Sequence, residues 1–526
     1  MRWHWCRAAD MAVDHIIIGS GINALVAGAM LGLKGDRVLL LEREDLAGGC
    51  LRTAPLHPGF QHDVMAATFV LFLTSPAGAA LGPHLARHGM EYCHTTHPTA
   101  VLRPDGSALV LTTKRAANIA SFNALAAGDG DKHGADVGGI DADAPFLFAL
   151  LGGALWSWPT VKLLFGQVRK RGLRGLAAWM GSALAPARGW LEGYKSPLVQ
   201  ALWAPWVLHC GLTPESTYSA QMGKVVAFAL EAAGAPVIKG GAAVAVAAFR
   251  ALIEEKGGQI RTGADVDRIL TADGRVTGVQ LMGGAQIMAR SVLASVAPDQ
   301  LYGRLLDDSP VQDRTAAQTF RHGRGNFQLH YALDAPVEWL TPGLQDVALI
   351  HLADGIDSVS KSANEAERGM LPETPTICVG QPHRLDPSRC PPGKAVLWLQ
   401  IPDAPRVIKG DAAGVIAGTD WDVVREAFAD RIEAILSRHI KDFAAIKLHR
   451  RAYSPRDLAA ININLVGGDP YGGACSLDQF FIWRPFAHSK NGVSDIKGLI
   501  HIGASTHPGP GLGGGSGFNA AKRLGA

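Results

Sequence analysis

The first apolar run of the chain is Val13-Asp14-His15-Ile16-Ile17-Ile18, broken at Gly19-Ser20-Gly21 and followed by a stretch rich in alanine, leucine and glycine up to Lys34. A second run, Val38-Leu39-Leu40-Leu41, ends in Glu42. Short continuous apolar runs bounded by glycine predict strands buried on both faces, and the longer stretch between them predicts a helix. Further along, Ala100 to Arg103 and Ala108 to Leu111 predict a hairpin turning at Pro104-Asp105-Gly106. Ala242 to Lys256 reads as a helix, followed by a strand after Gly257-Gly258, a hairpin turning at Asp273-Gly274 and a strand at Ser291 to Ser295. Strands at Asn326 to Leu333 and Ala395 to Ile401 precede a charged amphipathic helix from Trp421 to His439. The final strand ends at Gly503, with a short helix beginning near Gly514. Gly128 to Asp143, dense in glycine and aspartate, predicts a mobile loop.

From Ala144 to Phe165 the chain is almost wholly apolar, then turns basic at Arg169-Lys170-Arg171 and Arg174. Pro159 and Lys162 interrupt it before the roughly twenty apolar residues that a spanning helix needs. Two compatible readings fit: a helix pair covering a cavity, and a surface that rests on a bilayer with tryptophans and basic side chains among the headgroups. Trp179, Trp190, Trp203 and Trp206 continue the aromatic enrichment, most of them as core residues, and the stretch assigned to membrane-facing helices is about 144–210.

The opening pattern carries chemistry. Strand, glycine turn, helix and a second strand ending in an acid form a dinucleotide-binding unit. Gly19 permits the tight turn, Gly21 the approach of a pyrophosphate, and Ala24 and Gly28 close packing of helix on sheet. Free N–H groups at the helix N-terminus suit phosphates. Glu42 is placed to accept from a ribose 2′-OH, which favours an unphosphorylated ribose over NADP. The pair Gly48-Gly49, just beyond the acid, lets the chain run against a long dinucleotide. Near the end, Gly503 to Ala521 repeats the theme of a strand leading into a helix with exposed backbone donors.

Composition narrows the picture. The 526 residues are 48% hydrophobic, enough for a sizeable core and an apolar ligand. Lys and Arg number 50 against 47 Asp and Glu, a net charge of +3 that gives no reason to invoke nucleic acid. Seven dispersed cysteines without metal-ligand spacing suggest a reducing, cytoplasmic setting with no disulfide framework and no metal site. Met1 to Ala12 lacks the apolar core of a signal peptide, and Met11 is an alternative start.

Glycine-rich segments near residues 20, 240 and 510 make sense if all three fold onto one nucleotide domain. With Gly503-Ala504-Ser505-Thr506-His507-Pro508-Gly509, Gly511, Gly514, Gly517 and Asn519-Ala520-Ala521, the sequence resembles the phytoene-desaturase-like FAD-dependent oxidoreductases of the amine-oxidase and GDP-dissociation-inhibitor fold group. Ser454-Pro455-Arg456-Asp457-Leu458, Gly472, Ser476 to Phe480 and Arg484-Pro485 place the resemblance nearest the branch of pyridine nucleotide-disulphide oxidoreductase domain-containing protein 2. It implies an α/β fold: a Rossmann-like FAD-binding domain, discontinuous in sequence over residues 12–75, 232–300 and 495–526. An interleaved α+β substrate domain would span 76–231 and 301–494.

The resemblance also implies site residues. Gly19, Ser20, Gly21 and Asn23 would hold the FAD pyrophosphate and Glu42 the adenosine ribose, with Ala24 and Arg43 also in the cofactor-binding set. Gly48, Gly49, Arg52 and Thr53 would line the middle of the cofactor, and the Val266 backbone the adenine. Gly503 and Ala504 would lie by the ribityl chain, and Gly514, Gly515 and Ser516 would present a helix N-terminus to the flavin pyrimidine edge. Gly513 stands where relatives often carry proline, and Lys239 interrupts a run of small residues. The expected reaction is dehydrogenation of an apolar, polyene- or isoprenoid-like substrate by hydride transfer to flavin N5, with oxygen or a quinone as acceptor because no nicotinamide fingerprint appears. Redox-neutral polyene isomerisation and a non-catalytic escort for a hydrophobic ligand are the alternatives. No residue declares itself as acid or base. His507 is a candidate or a structural loop histidine, Cys50 reads as a small packed residue, and Arg484 and Asp478 are open between substrate and interdomain roles.

Overall fold

The computed structural model describes residues 13–65 and 67–526; Cys6 and Met11 lie outside the described residues. Strand β1 (Val13–Ile18) leads through helix α1 (Ile22–Lys34) to β2 (Val38–Leu41), followed by hairpins of β3 (Thr53–His57) with β4 (Phe60–Asp63) and β5 (Thr99–Leu102) with β6 (Ala108–Leu111). Helices α2 (Asp129–Gly152), α3 (Trp158–Ala183), α4 (Ser219–Ala233) and α5 (Ala242–Glu255) come next. Strands β7 (Gln259–Arg261), β8 (Val266–Ala272), β9 (Arg275–Leu281) and β10 (Gln286–Ser295) run in succession. They are followed by β11 (Gly325–Leu333), β12 (Leu349–Leu352), β13 (Ile377–Gly380) and β14 (Ala395–Ala404). Helix α6 (Trp421–Ser437), β15 (Lys447–Tyr453), β16 (Leu499–Ile502) and α7 (Gly515–Arg523) complete the chain.

Two seven-stranded sheets organise these elements. In the first, the order is β8-β9-β10-β1-β2-β7, with β16 also pairing β10. Its centre is parallel, which explains the unbroken apolar reading of β1 and β2: Ile17 and Leu40 pack toward α1 and α5, while Ile16, Ile18, Leu39 and Leu41 fill the opposite face. Helix α1 lies close because its buried face is small; a Cβ on Gly28 would come within 2.8 Å of Leu40 Cδ1. Gly35, at φ 100°, ends the helix and returns its N–H to the carbonyls of Leu31 and Gly32.

The second sheet has the order β15-β11-β14-β13-β12-β5-β6. One face packs on α6 through Phe327, Leu329, Leu397, Phe428 and Ile432. The other, with Val101, Cys378 and Trp398, meets a layer of helices and turns that includes Trp190, Trp203 and Trp206.

Gly128 to Asp143 is not a loop but most of helix α2. Composition misleads here because each polar residue has a tertiary task. The Asp129 carboxylate accepts the N–H groups of Lys195 and Ser196, and Asp136 accepts from Trp190 Nε1 and the Tyr194 hydroxyl. A Cβ on Gly130 would lie 1.9 Å from the Ile119 carbonyl oxygen, so glycine there permits a close helix contact. The break in the apolar stretch falls at residues 153–157, with Pro159 in the first turn of α3 where proline is tolerated. The large exposed apolar side chains of the 144–210 stretch end at Leu184; residues 187–208 supply core positions such as Ala187, Leu191, Val199 and Leu208, so the expected surface is narrower than 144–210. No helix among the described residues is long and apolar enough to cross a membrane.

Candidate cofactor site

The glycine turn after β1 takes the form its spacing requires. Gly19 has φ 90°, and a Cβ there would sit 3.0 Å from the Ser295 carbonyl oxygen at the end of β10. Gly21 caps α1 in an extended conformation with no side-chain cap and no acid in the first turn, and a Cβ on it would meet nothing within 4 Å. The N-terminus of α1 is therefore uncapped and has room beside Gly21, an arrangement that suits a pyrophosphate. Gly49 (φ 57°) closes one side of that space, its missing Cβ position only 3.3 Å from Gly21 Cα.

Glu42 ties these loops together. Its Oε2 accepts from the Ser20 N–H (3.0 Å) and the Ser20 hydroxyl (2.6 Å), while Oε1 accepts from the Glu44 N–H (3.0 Å). The Ser20 hydroxyl oxygen in turn accepts the Gly48 N–H at 2.9 Å. One buried carboxylate thus orders both glycine turns, a link that motif spacing alone does not reveal. The backbone continues the connection: the Glu42 carbonyl accepts from Ala264 N–H, two residues before the buried Val266 that opens β8. The Val266 carbonyl accepts from Arg304. Arg43 lies beside this region with its guanidinium paired to Glu44 at 3.0 Å, and Arg52 is half-buried just before β3.

The C-terminus closes on the same helix. Ser516 Oγ accepts the Gly503 N–H at 2.8 Å, and the Gly517 N–H donates to Asn23 Oδ1 at 3.3 Å. A Cβ on Gly517 would lie 1.9 Å from the Asn23 carbonyl oxygen, and one on Gly514 (φ 66°) 2.5 Å from Val26 Cγ2. Gly514 leaves α7 without a side-chain cap, and Gly515 packs against Pro508. Ala504 offers its carbonyl to Arg484, whose buried guanidinium also donates to the carbonyls of Ala474, Gln479 and Tyr471. Arg484 therefore staples the Gly503-Ala504 turn to the 471–479 loop, whereas Asp478 forms an exposed pair with Arg321.

Thr53 belongs to a network with no sequence signature. Its hydroxyl donates to Asp63 Oδ1 and accepts the Ala243 N–H, while Asp63 also accepts the Ala242 N–H and thereby caps α5. Gly241 is glycine because a Cβ would come within 2.3 Å of Thr53 Oγ1. The wholly buried Arg389 joins Asp63 (2.9 Å) to Asp386 (2.7 Å), and Asp386 accepts the Gly240 N–H. Cys50 is half-buried beside Asn462, its thiol pushed up by burial. Burial lowers His507 to about 4 against the opposing pull of backbone carbonyls at Gly153 and Leu150, and its ring meets Phe481 edge-on.

Comparison with known proteins identifies the family and its cofactor. The model of the flavin-containing amine oxidoreductases matches residues 146–454, and that of NAD(P)-binding Rossmann-like domains matches residues 17–81. The chain belongs to the flavin-containing amine oxidoreductase family. One of the subunits of the limonene dehydrogenase of Castellaniella defragrans is 25% identical, over 97% of this chain and 94% of that protein. The rat pyridine nucleotide-disulfide oxidoreductase domain-containing protein 2 is 26% identical (97% and 92%), and the neurosporene-forming phytoene desaturase of Rhodobacter capsulatus 23% (94% and 90%). An oxidoreductase from Methanosarcina mazei, 14% identical with a TM-score of 0.61 over 97% of this chain and 100% of that one, shares the fold. This family member is a phytoene-desaturase-like, FAD-dependent oxidoreductase. The uncapped N-terminus of α1 and the open space over Gly21 fit its cofactor.

Proposed function

We propose that this flavoenzyme dehydrogenates an apolar, isoprenoid- or polyene-like substrate, with residues 12–75, 232–300 and 495–526 holding FAD and the intervening chain selecting the substrate. The observation that carries this reading is the character of the surface between the segment after β4 and the inner face of the second sheet. A narrow cleft there is lined mainly by Ala67, Val237, Leu349, Leu385 and Trp398, with His62, Thr68 and Gln381 as its uncharged polar members. His62 packs edge-on against His330, and burial lowers the two imidazoles to about 2 and about 3. Both rings are neutral near pH 7, and the one carboxylate of the cleft, Asp63, is paired with Arg389. Such a lining is largely apolar and offers no unpaired charge to a polar substrate. Among the relatives, the limonene dehydrogenase and the phytoene desaturase support a hydrocarbon-like substrate.

When bound, FAD supplies the hydride acceptor at N5, and oxygen or a quinone is the class of acceptor that would return it to the oxidised form. The chain's part is to anchor the cofactor through Gly19 to Ala24, Glu42, Gly48-Gly49 and Gly503 to Ser516, and to hold the substrate in an apolar setting. Anaerobic mixing of the purified yellow protein with a monoterpene or an acyclic polyene is expected to bleach the flavin band in proportion to desaturated product. A rearranged double bond with no net bleaching would instead establish isomerisation, and purification without any flavin would favour the escort reading.

The exposed face of α3 supports delivery of such a substrate from a bilayer. Trp158, Val161 and Phe165, three and four residues apart on one face, are 68%, 50% and 70% exposed. Exposed Lys162, Arg169, Lys170 and Arg174 flank them, each worth about 1 kcal/mol near an anionic surface. Wild type is expected to pellet with phosphatidylglycerol-containing vesicles, and Trp158→Glu with Phe165→Glu to remain in the supernatant. Equal pelleting of the two proteins would remove the membrane contact from the proposal.

A further inference from the structure

A second constellation lies on the inner face of the second sheet, among none of the residues assigned to FAD. His351 in β12 and Cys378 in β13 are directly opposed across an antiparallel pair, so their side chains share one face. The 3-10 turn Ala204–Cys210 crosses that face and delivers His209, whose Nε2 is 2.8 Å from His351 Nε2. One nitrogen from each histidine and the Cys378 sulfur all lie within 4.8 Å of one another. His351 and Cys378 are buried, His209 is half-buried, and the Trp206 ring stands 4.8 and 4.9 Å from the two imidazoles.

We propose that His209, His351 and Cys378 form a binding site for a single thiophilic metal ion, with Cu⁺ preferred over Zn²⁺. Metal–nitrogen and metal–sulfur bonds of about 2.0 and 2.3 Å place three ligand atoms roughly 3.5 Å apart around one ion. The two nitrogens, 2.8 Å apart, need to separate slightly, a movement within reach of rotation at the half-buried His209. Two imidazoles and one thiolate are a borderline-to-soft donor set. Charge selects between the ions. Cys378 is the one ligand of the cluster that can become anionic, a thiol kept protonated by burial until a metal displaces its proton, and its cluster includes core residues such as Val101, Val207, Leu208 and Leu349. Cu⁺ with a thiolate is neutral and content with three ligands; Zn²⁺ would leave a net positive charge in this apolar layer and would need a fourth ligand. Each Cu⁺ bound displaces the thiol proton, so one positive charge enters as one leaves.

The test uses flavin-loaded protein under anaerobic conditions, competing for Cu⁺ against the chromogenic chelator bicinchoninate. Wild type is expected to withdraw about one Cu⁺ per chain, with X-ray absorption at the copper edge showing two nitrogens and one sulfur. Cys378→Ser, His351→Ala and His209→Ala are each expected to weaken retention at least tenfold while keeping their flavin band, which reports that the fold survives. The double variant Cys210→Ser with Cys475→Ser is expected to bind copper as wild type does. Equal withdrawal by wild type and the three ligand variants, uptake that instead follows Cys210 and Cys475, or retention of Zn²⁺ without Cu⁺ would each overturn the assignment.

Discussion

Glu42→Ala is expected to lose FAD during gel filtration, leaving a nearly colourless protein that rebinds added cofactor at least a hundredfold more weakly than wild type. The carboxylate accepts three hydrogen bonds within the chain, two from Ser20 and one from the Glu44 N–H, and it is 7% exposed. A hydrogen bond to a charged group contributes about 1.5–3 kcal/mol, and a buried donor left without its acceptor costs a similar amount. Because the three bonds act as one unit, their losses do not sum; a deficit of about 3 kcal/mol in the order of the two glycine turns is the conservative figure. Every 1.4 kcal/mol is about tenfold in affinity, which gives the hundredfold weakening before any direct contact with the ribose is counted. Glu42→Gln retains one acceptor oxygen and is expected to fall between the two. Flavin-to-protein absorbance ratios after desalting and quenching of FAD fluorescence on titration measure both effects. Full retention of cofactor by Glu42→Ala would overturn the role given to this residue.

The reason Glu42 stands out from the chain alone is that its function depends on local repetition. A parallel strand buried on both faces, a glycine turn and a helix of small residues must follow one another within about thirty residues, so the pattern survives without tertiary information. The same holds for β16 and α7, where Gly503, Ser516 and Gly517 sit within one strand-to-helix connection. The features that escape such reading are long-range. Arg389 meets Asp63 across 326 positions of sequence, and nothing around either residue marks the pairing. Helix α2 is hidden for a related reason: Asp129, Asp136 and Gly130 are poor helix formers whose roles become visible only against Lys195, Trp190 and Ile119. The opposed pair of His351 and Cys378 is likewise a product of strand register, which no spacing rule shows. Arg484, which the sequence leaves open between a substrate contact and an interdomain salt bridge, directs its donors to four backbone carbonyls.

Arg389→Met is expected to destabilise the protein by about 3–5 kcal/mol, because removing one partner from a buried ionic group leaves uncompensated charge. The guanidinium is 0% exposed and donates to Asp386, Asp63 and the Ile238 carbonyl. Without it the Asp63 and Asp386 carboxylates remain in the interior, still fixed by the N–H groups of Ala242 and Gly240. Against a total stability of about 5–15 kcal/mol this is a severe loss. It should appear as a lower unfolding temperature and faster release of flavin, since the network sets the entry of α5 behind the glycine turns. Neutralising the pair at the same time, with Asp63→Asn and Asp386→Asn, is expected to recover part of the loss. The pH dependence follows from the sign of the shift. Burial raises the Asp386 carboxyl, but hydrogen bonds from Ser388, the Gly240 N–H and Arg389 outweigh it and hold the group below its ordinary 3.8. A lowered carboxyl contributes stability that is present above the unfolded value and is lost as pH falls through the folded one. In Arg389→Met the same carboxyl lacks its cation and gains stability on protonation. The stability gap between wild type and variant should therefore be widest near neutrality and narrow as pH falls toward and below 3.8, measured by thermal unfolding at a series of pH values. A gap that stays constant down to that acid range would show that Arg389 acts by packing alone, and the ionic account of the network would fail.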